Sequence, residues 1–236
     1  MTFRIPPRGF VVALLGASLA VPVAATADTG GTPAPTPGGT GTIDPGFLLS
    51  TSNSTFVGSA LQIRGYVANA AGKTVNIQSQ VATGGWISVA TATADSSGNF
   101  ATTWYPPTAG EYELRAALSG AQAADTTTAS TSHAVRVYKR ARASWYGPGF
   151  YGKRTACGKR LNRATTGVAN RTLACGTQVA IRYAGRSIVV QVIDRGPFSR
   201  GVQWDLTSAT AKKLGMKVTS RIGVAPIMLP LTAPAP

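Results

Sequence analysis

The 236-residue chain carries 23 Lys and Arg against 8 Asp and Glu, a formal net charge of +15, although only 13% of its residues are charged. The length suits two small domains, each able to bury a core. A lone histidine, two cysteines and no clustered carboxylates exclude a four-ligand metal site, so neither metal nor other cofactor is expected.

The charge is concentrated in one part of the chain. Arg136 to Pro236 holds 18 basic residues against 2 acids, Asp194 and Asp205, a balance of +16. Such a balance calls for a polyanionic partner, and nucleic acid, anionic lipid and cell-wall polymers all qualify. The first residues choose among them. Arg4 and Arg8 precede an apolar stretch from Phe10 to about Val23, and Ala25-Thr26-Ala27 supplies the small residues of a cleavage site, so residues 1–27 read as an export signal. The competing reading is an uncleaved anchor, which needs a run of about 20 apolar residues, longer than this one. No cysteine lies nearby to be acylated. The expectation is a protein secreted to the cell wall, monomeric and not stably inserted in a membrane.

Residues 28–46 are rich in Gly, Pro and Thr and read as a flexible linker. From 47 to 138 short alternating runs recur: Leu61 to Val67, Val75 to Ile77, Trp86 to Val89, Phe100 to Trp104 and Tyr112 to Arg115. Turn residues such as Ala71-Gly72-Lys73 and Asp95-Ser96-Ser97-Gly98 separate them by about ten residues, the spacing of a small antiparallel sandwich. The segment around Ser97-Gly98-Asn99-Phe100 and Gly110-Glu111-Tyr112 resembles bacterial immunoglobulin-like domains. Ala121 to Thr131 reads as a loop before a strand at Ala134 to Tyr138, with a domain boundary near Lys139. Trp86, Trp104 and Tyr112 alternate along strands and are expected in the core.

Residues 139–236 again favour strands. Gln178 to Tyr183 and Arg186 to Ile193 flank Ala184-Gly185 as a tight hairpin. One short helix is expected over Ser208 to Leu214, capped by Thr207 and stopped by Gly215, before a last strand over Arg221 to Leu231. Cys157 and Cys175 lie 18 residues apart in this segment. An oxidising compartment favours a disulfide between them, with a metal pair as the competing reading.

Five segments follow in order: Ala143-Ser144-Trp145-Tyr146-Gly147; Gly152 to Gly158; Arg171 to Thr177; Ile193-Asp194-Arg195-Gly196-Pro197-Phe198; and Trp204-Asp205-Leu206-Thr207. In order and spacing they resemble the double-psi β-barrel of rare lipoprotein A, with the cysteine pair resembling a disulfide-bearing branch of that family. The fold expected is all-β: an immunoglobulin-like β-sandwich followed by a six-stranded double-psi β-barrel with one short helix. Active members of the family are lytic transglycosylases, which cut peptidoglycan glycan strands and leave a 1,6-anhydro end with one carboxyl group acting as acid and then base.

The resemblance puts Asp194 at the acid position and makes Asp205 a structural aspartate beside the substrate. Tyr146, Phe198 and Trp204 would stack on sugars, while Arg195 and Arg200 would meet carboxylates. Two positions depart from the active pattern: Lys159 stands where the family has Glu, and Asn170 where it has His. Both still fall on the substrate side, but neither shuttles protons at neutral pH. Two readings therefore stand: a transglycosylase, and a non-catalytic, expansin-like glycan-binding module. Anionic wall polymers are a second class of partner. Nucleic acid is not expected, because no strand interleaves aromatic and basic residues for base stacking.

Overall fold

A computed structural model of the chain describes residues 47–81, 84–120 and 129–227. The expected signal and linker at 1–46 lie outside them, as do 121–128 of the expected loop and 228–231 of the expected last strand.

The alternating runs pair as their period requires. β1 (Phe47–Thr51), β3 (Leu61–Val67) and β6 (Asn99–Trp104) form an antiparallel sheet in the order β1-β3-β6. Facing it, β5 (Trp86–Thr93), β4 (Thr74–Gln80) and β7 (Gly110–Leu118) continue onto the first half of β8 (His133–Tyr146), where β2 (Ser54–Phe56) adds in parallel. Leu61, Ile63 and Val67 from the first sheet meet Val75, Ile77, Leu114, Val135 and Val137 from the second, all at most 2% exposed. Trp104 joins this core, with Tyr112 edge-on to its ring at 5.0 Å.

β8 does not stop at the expected boundary. It runs 14 residues through Lys139 and becomes the first strand of a second structure. That structure adds β9 (Val168–Ala169), β10 (Gln178–Tyr183), β11 (Arg186–Asp194), β12 (Trp204–Thr207), α1 (Ser208–Leu214) and β13 (Ser220–Ile227). Six strands follow in the order β12-β9-β11-β10-β13-β8, and β12 also pairs with β8, which closes the barrel. Val168, Val179, Ile181, Val192, Leu206 and Ile222 fill it at 0–3% exposure.

The local signals are realised where they were read. Ala184 and Gly185 both take positive φ, which turns β10 into β11 with full register from Tyr183↔Arg186 onward. Thr207 accepts the Thr210 amide at the start of α1, and Gly215 ends the helix in the left-handed region. The described residues all belong to one compact unit of the chain. A small cluster of Phe56, Tyr138, Ala180, Ala225 and Ile227 packs where β8 passes from one core to the other.

Truncating one fully buried leucine in each core, Leu114→Ala and Leu206→Ala, should cost about 2–5 kcal/mol apiece in denaturant unfolding. Because β8 is common to both cores, each variant should shift one shared transition. Two separable transitions would show that the strand does not couple them.

Candidate functional site

Parallel pairing of β12 with β8 sets Asp205 opposite Ser144 and Thr207 opposite Tyr146. Ala143, Trp204 and Leu206 point into the barrel core, so period 2 turns Ser144, Tyr146 and Asp205 outward together. The Ser144 hydroxyl donates to Asp205 Oδ1 at 3.0 Å. Asp194 ends β11 just past an irregularity in its pairing with β9. Its Oδ1 accepts the amides of Ala156 at 2.9 Å and Arg195 at 2.8 Å, and the residue is half-buried.

The two acids of the domain therefore share one neighbourhood, with Tyr146 between them. Burial pushes the Asp205 carboxyl up to about 6, the negative charge of Asp194 adds to the rise, and the Ser144 hydrogen bond opposes it. The Tyr146 phenol is driven well above its ordinary value, first by burial and then by the charge of Asp194. Its hydroxyl lies beside the Asp194 carboxylate yet closes no hydrogen bond of regular geometry. A buried hydroxyl in that state is a donor waiting for an acceptor.

The other expected residues divide. Phe198 is 83% exposed, and Arg200 is exposed with no bonded partner among the described residues. Trp204 is 6% exposed, a member of the barrel core that shows an edge to a neighbouring groove. The Arg195 guanidinium is occupied: it donates to the carbonyls of Asn170 and Leu173 and to Cys175 Sγ, bracing the 170–175 loop. Asn170 is buried, and its Oδ1 accepts from Thr172 and from the Leu173 amide. Lys159 is exposed, bonded only through its backbone to Thr155. Cys157 and Cys175 form the disulfide, with Cα atoms 5.7 Å apart. Among the described residues no group of three or more His, Cys, Asp or Glu is placed to hold a metal.

Sequence reasoning passed over three residues here. Phe150, 52% exposed, meets Tyr146 edge-on at 6.1 Å and extends the aromatic surface beside Asp194. Its signal is an aromatic residue in the turn Pro148-Gly149-Phe150. Ser144 holds Asp205. Arg171 donates to the carbonyls of Pro197, Ser199 and Val202, so it clamps the loop after Asp194 as Arg195 clamps the loop before Cys175. A groove of about 880 Å³ is lined by Asn170, Leu173, Trp204, Arg142 and Arg221 among others, and Asp194 is not on its wall. The groove ends against the backbone of the site, since the Asn170 amide donates to the Asp194 carbonyl and Trp204 precedes Asp205.

Two outcomes follow. Replacing both cysteines by serine should cost about 3 kcal/mol of stability, given an 18-residue loop, read as the difference between oxidised and substituted protein in denaturant. The raised carboxyl of Asp205 favours folding below the unfolded value near 4, and that contribution is lost as pH climbs through about 6. Asp205→Asn, which keeps an acceptor for Ser144, should therefore gain on the order of 1–2 kcal/mol over the parent at pH 8, after allowing for partial solvent access, and nothing at pH 4.

Residues 138–229 match the family described as DPBB_1, lytic transglycolase. A probable endolytic peptidoglycan transglycosylase RlpA of Synechocystis is 41% identical over 40% of this chain and 30% of its own length. A protein of the same name from Aquifex aeolicus is 47% identical over 34% of this chain and 36% of its own. The endolytic peptidoglycan transglycosylase RlpA of Campylobacter jejuni is 37% identical over 37% of this chain and 31% of its own. The chain thus spans about a third of the length of the curated relatives it matches. Among solved structures, the Streptomyces papain inhibitor aligns over 39% of this chain and 94% of its own, at 24% identity and a TM-score of 0.32. The closed six-stranded sheet, the family match and the RlpA relatives together make residues 138–229 an RlpA-like double-psi β-barrel.

Proposed function

We propose that the protein is exported through residues 1–27 and acts on peptidoglycan glycan strands in the cell wall as an endolytic lytic transglycosylase. Residues 28–46 would serve as tether and 47–138 as an immunoglobulin-like module. No helix among the described residues is long and apolar enough to cross a membrane. The observation that carries the reading is convergence: both acids of a domain otherwise crowded with bases meet at Tyr146, beside exposed Phe150, with exposed Phe198 four residues after Asp194 in the chain.

Asp194 is the acid and then the base. Two amides fix its Oδ1 and leave the second oxygen for substrate. Its proton goes to the glycosidic oxygen as the bond from C1 of the N-acetylmuramic acid unit breaks. The carboxylate then takes the proton of that sugar's C6 hydroxyl as the hydroxyl oxygen closes on C1. No water is consumed, a 1,6-anhydro end forms, and one carboxyl group suffices. Tyr146 would donate its unspent hydroxyl to the sugar, and Phe150 and Phe198 would take pyranose faces.

A second reading rests on two particular residues. Lys159 contacts neither carboxylate, and the side-chain oxygen of Asn170 is spent on its own loop. In that reading the barrel holds glycan without cutting it. Incubating the purified protein with peptidoglycan and analysing soluble products by mass spectrometry separates the two. Release of 1,6-anhydro muropeptides supports the enzyme, whereas sedimentation with the wall without release supports the binding module. Asp194→Asn should lower release by about 10²-fold or more while the protein still sediments with the wall. Undiminished release in that variant would remove Asp194 from the chemistry.

A further inference from the structure

The outward face of β8 does not end at Ser144. Two and four residues earlier it presents Arg142 and Arg140, in steps of about 6.6 Å along the strand. Across the sheet, Arg142 stands directly opposite Arg221 of β13, and Gly223 stands between Arg140 and Arg182 of β10. Four arginines thus occupy two adjacent rows of one closed sheet face. Like charges directly opposite each other destabilise a sheet. No acid offsets them: the one ion pair among the described residues is Arg136 with Glu111.

The cluster is also preorganised. The Arg140 guanidinium lies 4.2 Å above the Phe56 ring. Arg182 donates to Ser54 Oγ at 2.6 Å and approaches the Tyr138 ring at 5.9 Å. Gly223 lets Phe56 and Tyr138 pack down on the sheet beneath Arg140, because a Cβ there would press on both at 3.1 Å. Two depressions flank the rows and share Arg140 and Arg221, the 880 Å³ groove on one side and one of about 220 Å³ on the other. Neither wall contains a carboxylate. Ala141, Leu173, Trp204 and Val224 make the floor of the larger one apolar.

We infer that this face, formed by Arg140, Arg142, Arg182 and Arg221, is a binding site for a polyphosphodiester wall polymer. Guanidinium forks grip phosphate oxygens bidentately. Charges repeated along the polymer match arginines repeated along the strand, and carbon links between phosphates fit the apolar floor. Two competing occupants are disfavoured by the same geometry. An acidic peptide gains most from a free sheet edge, and here β8, β13 and β10 are paired on both sides. A nucleic acid needs bare aromatic faces, and Arg140 already covers Phe56. The site does not depend on whether Asp194 cuts glycan.

The test is equilibrium binding of the purified protein to a synthetic glycerol-phosphate decamer at several salt concentrations. The parent should bind, and Arg142→Gln combined with Arg221→Gln should weaken binding at least about tenfold and lower the salt slope by roughly 2. Circular dichroism should show the fold unchanged, since both side chains are exposed and Arg140 stays on Phe56. Replacing the same pair by lysine keeps the charge but not the forks, and should give intermediate affinity. Three results would each overturn the assignment: no binding by the parent, undiminished binding by the glutamine pair, or equal binding of single-stranded DNA or polyglutamate of the same charge. Asp194→Asn should bind the decamer like the parent, so loss of glycan release and loss of polymer binding are read separately.

Discussion

One strand sets the order of everything else. β8 runs unbroken for 14 residues, and its inward positions serve two cores in turn, with the pattern broken at Tyr138-Lys139 where it crosses and at exposed Trp145. Inward, Val135 and Val137 close the first core, then Ala141 and Ala143 face the second, with exposed Lys139 at the crossing. Outward, Arg140, Arg142, Ser144 and Tyr146 follow in a line. A one-residue slip would move all of these to the wrong face, so packing of two cores is what fixes the line on which the polar groups stand. The small alanines are part of the same constraint, since β12 and β13 flank β8 at Ala143 and leave no room for a larger side chain at 0% exposure.

Charge follows from that placement. The domain from Lys139 onward has two acids, and neither forms an ion pair with any of its 17 bases among the described residues. Both sit at the Tyr146 site, where burial and mutual repulsion lift Asp205 to about 6 instead of an arginine pulling it down. An ordinary surface would spread its acids among its bases to lower self-repulsion. Here the bases are left unpaired on one stretch of the sheet and the acids are gathered on the next. Separation of this kind costs stability, and it suits the two ligands proposed above: neutral, hydroxyl-rich sugar at one stretch, oxyanions at the other.

What the sequence made legible was local. The β10–β11 turn needed two residues of positive φ and had Ala184-Gly185; α1 needed a cap and a stop and had Thr207 and Gly215. The family resemblance placed the barrel. The continuity of β8 was hidden because Tyr138-Lys139-Arg140-Ala141-Arg142 interrupts the hydrophobic pattern, although only one of its inward positions is charged. The surroundings of Asp205 were not legible, because its neighbours Ser144 and Asp194 lie 61 and 11 residues away and meet it only through β8 pairing and the end of β11. Arg195 looked available for a ligand, yet its partners are carbonyls 22 and 25 residues back, a kind of contact that side-chain chemistry alone does not announce.

The two departures from the active family pattern then acquire a physical meaning. Asn170 keeps the loop: its Oδ1 organises Thr172 and Leu173, its amide reaches the Asp194 carbonyl, and its own carbonyl takes Arg195. A histidine ring there would put a proton carrier at this corner, and asparagine puts a turn. Lys159 brings a charge to the disulfide loop but no ion pair with either acid, so Asp194 and Asp205 face each other without a cation between them. On the resemblance, the site lacks two proton relays and retains position. Position is what intramolecular attack by the sugar's own hydroxyl chiefly demands, because nucleophile and leaving group already belong to one bound strand.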